Sequence, residues 1–338
     1  MKSSMARSLV EGFSSPGDTV LDPFCGSGAI PLEASIAKRN VVCSDVNPYA
    51  VTLTRSKLKA PANLHLALGR AERALSSASD KSNRASLTQA PLWVQSFFHP
   101  ETLRESLQFL KVVQQKGDFF LLACMLGILH HERPGFLSFP SSHLVPYLRS
   151  RKFPREDFPQ MYEYRHLEYR LTAKISRTFR RPATIDQSLQ RVCRQTDFRN
   201  LDLKRNSVDS IITSPPYMDT LDYARDNRLR LWFLGVKDYR SLNLRLGSKD
   251  EFCRLMTDLL LRARRWLQRR SRCVLVLGDL SSRKRSFATQ SIVSDLATKV
   301  VGGFRVESII RDEIPDIRRS RREVSATETE LIIVLRKK

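Results

Sequence analysis

The sequence predicts an α/β fold in which a doubly wound, mainly parallel sheet carries a helical insertion. Residues 7–60 alternate between short apolar strands and helices, which is typical of a parallel sheet with helices on its faces. Residues 61–184 contain no convincing buried strand, and strand character returns at Gln190. We therefore expect a sheet domain formed by residues 1–60 and 185–338, with residues 61–184 inserted into it.

Apolar runs bounded by turn residues define the individual elements. The expected strands are residues 19–21, 41–45, 189–195, 208–213, 274–277, 305–311 and 331–335. The expected helices are residues 8–13, 31–38, 51–58, 102–115, 119–131, 162–180, 229–234 and 251–268. Residues 76–89 are small and polar, so we expect a mobile surface loop there.

The composition favours a polyanionic partner. The 338 residues have a formal net charge of +22 and a pI near 10.2, while a hydrophobic content of 41% is enough for a core. Lysine and arginine side chains gain affinity for phosphates because they release counterions. A nucleic acid is therefore favoured over a membrane surface.

Membrane-spanning, secreted and metal-binding proteins are disfavoured. No stretch is long and apolar enough to span a bilayer, and the first residues do not form a secretory signal. None of the six cysteines has CxxC or zinc-ligand spacing, so we expect no metal and a reduced, cytoplasmic, nucleoid-associated protein. His130, His131 and Glu132 are adjacent, but side chains of adjacent helical residues diverge.

The first candidate site is the glycine-bearing loop Asp22-Pro23-Phe24-Cys25-Gly26-Ser27-Gly28, which follows a strand and precedes a helix. Glycines allow the backbone to approach a ligand, and open sheets bind ligands at the carboxyl ends of their strands. Asp45 ends the next strand, where an acid can bind both hydroxyls of a ribose. The alternative is a tight strand-to-helix turn without a ligand.

The second candidate site is Ser214-Pro215-Pro216-Tyr217, at the end of an apolar strand. The prolines stiffen the backbone and remove two N–H donors, so nearby carbonyls are available as acceptors. Acceptors that bind the hydrogens of an aromatic amine favour a pyramidal nitrogen whose lone pair can attack. Tyr217 can stack on a base flipped out of a duplex. The alternative is a polyproline turn.

Both sites resemble one enzyme family. The segments DPFCGSGAIPLEA, SDVNPYA and TSPPYMDTLDYARDNRLRLWFLG resemble the S-adenosylmethionine-dependent methyltransferases that modify exocyclic amines of DNA bases. The resemblance implies S-adenosyl-L-methionine as cofactor and a Rossmann-like methyltransferase fold. It implies these cofactor contacts: Asp22, Pro23, Phe24, Gly26 and Gly28 at the methionine, Asp45 and Asn47 at the ribose, and Asp197 at the adenine. The alternative for Asp197 is a helix or turn cap.

The same resemblance implies a reaction. Ser214, Pro215, Pro216 and Tyr217 would be catalytic, and a serine at the first motif position favours the N4 amine of cytosine in double-stranded DNA. FHPETLRESLQFL and ILHHERPGFLSFPSSHLVPYL resemble a subgroup in which the cofactor motif precedes the catalytic motif. The chain departs from its relatives before the cofactor motif, where they usually have a longer helical segment that residues 3–13 would partly replace.

Basic residues in the insertion predict a nucleic-acid interface. One cluster contains Arg149, Arg151 and Lys152, and a second contains Arg170, Lys174 and Arg177. Tyrosines lie among them, as suits phosphate contacts combined with base stacking. We therefore expect residues 61–184 to recognise the target. The alternative is a solvated helix with an aromatic core stripe.

Three alternatives to a cytosine-N4 DNA enzyme remain open. They are a DNA adenine-N6 methyltransferase, an RNA guanosine-N2 methyltransferase and a nucleic-acid-binding relative without activity. RNA is disfavoured because those enzymes usually carry an amino-terminal RNA-binding domain, for which there is no room before Val20. The leading hypothesis is a modification enzyme, either within a restriction-modification system or acting alone.

Overall fold

The chain folds into two compact units. The computed structural model describes residues 1–80, 85–129, 136–138, 154, 156–216, 223–242, 246, 248–279, 281–282, 285–286, 289–313 and 329–338. Unit 1 comprises Met1–Thr54, Ile185–Leu221 and Leu244–Lys338, and unit 2 comprises Arg55–Thr184 and Asp222–Asn243.

Unit 1 is built on a seven-stranded sheet with the strand order β3-β2-β1-β4-β5-β9-β8. Strands β1 to β5 pair in parallel, and β9 pairs antiparallel with both β5 and β8. The predicted doubly wound, mainly parallel α/β sheet is therefore confirmed. The strands are β1 Thr19–Asp22, β2 Asn40–Asp45, β3 Arg191–Gln195, β4 Val208–Thr213, β5 Leu267–Asp279, β8 Phe304–Glu313 and β9 Thr329–Lys337, with β6 Ser281–Ser282 and β7 Arg285–Ser286 in a separate hairpin.

The described helices account for most of the remaining elements. They are α1 Ser3–Phe13, α2 Ala29–Ile36, α3 Pro48–Leu58, α4 Leu64–Ser79, α5 Leu92–Gln95, α6 Pro100–Gln115, α7 Phe119–Ile128, α8 Leu167–Thr178, α9 Tyr223–Asp226, α10 Arg228–Phe233, α11 Lys249–Trp266 and α12 Thr289–Asp295. Short 3₁₀ turns occupy Leu87–Gln89, Pro159–Tyr162, Phe198–Asn200 and Tyr239–Leu242, and a π turn, Leu296–Val300, continues α12. No helix in the described part of the chain is both long and apolar enough to cross a membrane.

Helix α11 provides much of the core of unit 1. Ser248 caps its amino end by accepting a hydrogen bond from the Glu251 backbone N–H at 3.2 Å. Its apolar residues recur every three or four positions and are buried with side chains of β4 and β5. The largest of them, Trp266, is 1% exposed. The apolar face of α11 therefore packs against one face of the sheet.

Unit 2 is helical within its described residues. Helix α8 buries Leu167, Leu171 and Ile175, which share one face, and α7 is buried along nearly its whole length. Residues 222–243 cluster with this unit, although they were expected to belong to the sheet domain. Their α10 is fixed by the Arg230 Nε–H, which donates to the Leu126 carbonyl of α7 at 3.0 Å.

Several predicted boundaries were wrong. The loop expected at residues 76–89 begins inside α4, where Ala67, Ala71, Ala74 and Ala78 are buried as a stripe. Alanine spacing of three to four residues allows close helix packing, which the small, polar composition concealed. The helix expected over residues 162–180 is shorter, since α8 starts at Leu167. Helix α12 was not predicted.

Candidate active site

Four candidate residues lie at the carboxyl ends of neighbouring parallel strands of unit 1. Asp22 ends β1, Asp45 ends β2, and Ser214 directly follows β4. Asp197 lies two residues beyond the end of β3. The chain order of the strands reverses between β1 and β4, which is the switch point where open α/β sheets bind ligands. The topology therefore brings both predicted motifs to one sheet edge.

A hydrogen bond joins the two motifs directly. The Thr213 hydroxyl, one residue before Ser214, donates to Asp22 Oδ1 at 2.7 Å, and both side chains are buried. The same Asp22 oxygen accepts the Phe24 backbone N–H at 3.2 Å. Thr213 was not among the predicted site residues. The register of β1 and β4 pairs Leu21 with Ile211 and does not reach either residue, so the contact emerges only from the folded strand ends.

The Asp22 carboxyl is poised to respond to a nearby positive charge. Burial raises its pKa from 3.8 to about 7, although the hydrogen bonds from Thr213 and Phe24 oppose that shift. The negatively charged Asp45 raises it further. A cation placed at this edge would favour the ionised carboxylate.

Asp45 links the glycine loop to the end of β2. Its Oδ2 accepts the Gly26 backbone N–H at 2.9 Å, and its Oδ1 accepts that of Asn47 at 2.9 Å. Each carboxylate oxygen has a second lone pair, so Asp45 can still accept hydrogen bonds from ligand hydroxyls. Burial raises its pKa. Asn47 caps α3, because its Oδ1 accepts the Tyr49 N–H at 2.9 Å.

The two predicted glycines have different structural roles. Both have positive φ angles, +48° at Gly26 and +76° at Gly28. A Cβ at Gly28 would lie 2.6 Å from Thr54 Oγ1 and 3.0 Å from Thr54 Cα, so this glycine permits close packing on α3. Among the described residues, a Cβ at Gly26 would meet only the Phe24 carbonyl oxygen, at 3.9 Å. Gly26 thus borders open space.

Asp197 caps the 3₁₀ turn that follows β3. It accepts the Arg199 backbone N–H at 2.8 Å and pairs with the Arg199 guanidinium at 2.9 Å. The same guanidinium reaches Asp258 of α11 at 2.8 Å. Next to it, the ring of Phe198 lies 5.0 Å from that of Phe24, which brings this turn against the glycine loop. The cap foreseen as the alternative role is present.

The second motif is described as far as Pro216. Ser214 and Pro216 are half-buried and Pro215 is buried. Tyr217 lies outside the described residues. The two prolines lack N–H donors, as the sequence requires, so this strand end offers acceptors without competing backbone donors.

The predicted basic residues differ in their surroundings. Arg149, Arg151 and Lys152 lie outside the described residues. Arg170 Nε–H donates to the Phe136 carbonyl at 3.1 Å, and burial lowers its pKa. The Lys174 side chain lies close to Gly127 of α7, and Arg177 is exposed. Arg170 is therefore engaged within unit 2 itself.

Unit 2 also contains an aromatic and cationic concavity that sequence reasoning missed. The Arg228 guanidinium lies 4.2 Å from the centroid of the Trp93 ring and 5.9 Å from that of Tyr239. The residues that line the concavity are Trp93, Arg228, Trp232, Val236, Lys237, Tyr239 and Arg240. The run of arginines and aromatics in residues 228–240 is the signal that could have revealed it.

Comparisons with known proteins agree with the first motif. Residues 3–56 match the N6/N4 methyltransferase family model, described as DNA methylase. The resemblance inferred from the sequence is confirmed over that segment, which contains the glycine loop and Asp45. No curated protein matches the chain by sequence.

The solved structures that match this chain share little sequence with it. TrmN from Thermus thermophilus is 12% identical with a TM-score of 0.37; the match covers 100% of this chain and 49% of TrmN, so the chain spans about half its length. A SAM-dependent methyltransferase from Methanosarcina mazei is 10% identical with a TM-score of 0.41, and the match covers 97% of this chain and 96% of that one. The rRNA methyltransferase aviRa from Streptomyces viridochromogenes is 13% identical with a TM-score of 0.33, and the match covers 99% of this chain and 85% of aviRa.

The contrast between the glycines predicts unequal costs of substitution. Gly26→Ala should lower the free energy of unfolding by about 1–2 kcal/mol, because only the left-handed backbone is strained. Gly28→Ala should lower it by about 2–5 kcal/mol, because the clash with Thr54 adds to that strain. Urea unfolding of both variants measures the difference. A larger loss for Gly26→Ala would contradict these assigned roles.

The raised pKa of Asp22 predicts a pH-dependent stability. The folded state holds this proton more tightly than the unfolded state, so the contribution of Asp22 is complete below pH 3.8 and is lost as pH rises towards about 7. Asp22→Asn should weaken that decline, measured by urea unfolding across this range. Asp202→Asn, at an exposed position, is the matched control. An unchanged decline in Asp22→Asn would refute the shift.

Proposed function

We propose that this chain is an S-adenosylmethionine-dependent methyltransferase that modifies the exocyclic amine of a nucleic-acid base, with cytosine N4 in double-stranded DNA as the target. The observation that carries the proposal is the 2.7 Å hydrogen bond from Thr213 to Asp22, which joins the cofactor motif to the catalytic motif. The family match over residues 3–56 supports it.

The residues of the first motif fit the cofactor. S-Adenosylmethionine supplies a methyl group on a positively charged sulfonium. Burial raises the pKa of the Asp22 and Asp45 carboxyls, because it disfavours their ionised forms. A cationic ligand would stabilise the ionised carboxylates and offset that desolvation penalty. The open space beside Gly26 leaves room for a ligand along the loop. Asp45 would hold the ribose hydroxyls, and the Asp197–Phe198 turn would lie at the adenine.

The second motif would act on the base. A cytosine amine is a poor nucleophile because its lone pair is delocalised into the ring. The Ser214 hydroxyl and nearby carbonyls would accept hydrogen bonds from the amine and favour a pyramidal nitrogen. The amine would take up the methyl group that the sulfonium of S-adenosylmethionine supplies and would lose one proton, while Asp22 and Asp45 would hold the cofactor. Positioning and acceptors would supply the rate, and Tyr217 would stack on the flipped base.

Unit 2 would bind the nucleic acid. Its concavity combines two tryptophans and a tyrosine with Arg228, Lys237 and Arg240, a set suited to base stacking and phosphate contacts. Exposed Arg177, with Arg170 and Lys174 on the same helix face, would add to the phosphate contacts, as would Arg149, Arg151 and Lys152. The net charge of +22 favours such a partner. We assign target recognition to residues 61–184.

The target is tested by transfer of labelled methyl from the cofactor to double-stranded DNA and to RNA, followed by nucleoside analysis. We expect the label in N4-methylcytosine from DNA. Label in N6-methyladenine would overturn the base assignment, and label only in RNA would overturn the DNA assignment. Tight DNA binding without transfer to either polymer would overturn the enzymatic proposal.

The serine of the catalytic motif should be essential for transfer. Ser214→Ala removes a hydroxyl that would bind the amine, so kcat should fall on the order of 10²-fold while cofactor affinity changes little. Ser207→Ala, at the opposite end of β4, is the matched control and should retain activity. Radiometric transfer and equilibrium dialysis measure the two quantities. Full activity in Ser214→Ala would refute its role.

A further inference from the structure

Three cysteines that are far apart in the sequence lie together in unit 1. Cys43 of β2 and Cys193 of β3 are partners in the parallel register, so their side chains share one face of the sheet. Cys25 joins them because its backbone N–H donates to the Ser44 carbonyl at 3.0 Å. The three sulfur atoms all lie within 4.8 Å of one another. We call them the cysteine triad.

We propose that the cysteine triad binds a soft metal ion, Cu⁺, through its three sulfur atoms. Even if all three separations were 4.8 Å, a point would exist about 2.8 Å from every sulfur. Zinc–sulfur bonds measure about 2.3 Å, so small side-chain movements bring three sulfurs to such bonding distances. Sequence spacing predicted no metal site, because the triad is created by strand register.

The choice of ion follows from the donors. Soft thiolates select Cu⁺ or Zn²⁺, but a structural Zn²⁺ takes four ligands. The triad offers three sulfurs, and within the described residues no fourth His, Cys, Asp or Glu ligand atom belongs to the group. A three-coordinate ion is therefore favoured. Cys25 and Cys43 are buried while Cys193 is half-exposed, so the ion would enter beside Cys193.

Binding would require the thiols to lose their protons. A hydrogen bond with Cys193 is the largest cause that raises the pKa of both the Cys25 and the Cys43 thiol, and burial contributes to each shift. The ion must therefore compete with protons, so its affinity should increase with pH. The bound ion would tie the glycine loop to β2 and β3 and raise the melting temperature.

The test adds Cu⁺ or Zn²⁺ separately to the reduced 338-residue chain without oxygen, followed by native mass spectrometry and thermal unfolding. We expect one equivalent of Cu⁺ and a higher Tm. Cys193→Ser, at the half-exposed member, should weaken binding more than about 100-fold, measured by chelator competition. Cys253→Ser, a half-buried cysteine of α11 outside the triad, is the matched control and should bind as the unmodified chain does.

Three results would overturn the proposal. They are no stoichiometric Cu⁺, Cu⁺ binding that persists in Cys193→Ser, and stoichiometric Zn²⁺ in place of Cu⁺. If Cys193→Ser does not fold, Cys193→Ala tests the same ligand, and circular dichroism establishes that each variant is folded. None of these readouts depends on methyl transfer, so they test the metal site independently of the proposed function.

Discussion

The buried hydrogen bond between Thr213 and Asp22 is the contact on which the candidate site depends. It spans β1 and β4, the pair of strands at which the chain order reverses. An unpaired carboxyl would be costly in this buried position, so each residue stabilises the placement of the other. The glycine-bearing loop begins at Asp22 itself, and the double-proline segment begins at Ser214, directly after Thr213. Two motifs almost two hundred residues apart are thereby joined at one sheet edge.

The strand ends carry acidic side chains, whereas the chain as a whole is strongly basic. The chain as a whole carries a net charge of +22, which favours a polyanion. The strand ends instead present the buried acids Asp22 and Asp45, whose carboxyls have a raised pKa. A cationic cofactor suits these acids, whereas the basic surface suits phosphates. One chain can thus bind two partners of opposite charge.

The sequence predicted much of the fold, because apolar strands and turn residues are local signals. It located β1, β2 and β4 and the loop that follows β1. It did not separate Gly26 from Gly28, because their difference depends on Thr54 in another helix. The cysteine triad was hidden for a similar reason, since only the register of β2 and β3 brings Cys43 beside Cys193. Contacts between distant residues require the folded chain.

Amide chemical shifts of the isotope-labelled chain during titration with S-adenosylhomocysteine test the shared edge most directly. We expect the amides of Gly26, Asp45 and Ser214 to shift together with one dissociation constant. These amides belong to three separate strand ends, so a common response requires a common ligand. Shifts confined to unit 2, or shifts at Gly26 and Asp45 without any at Ser214, would contradict a cofactor held where both motifs meet.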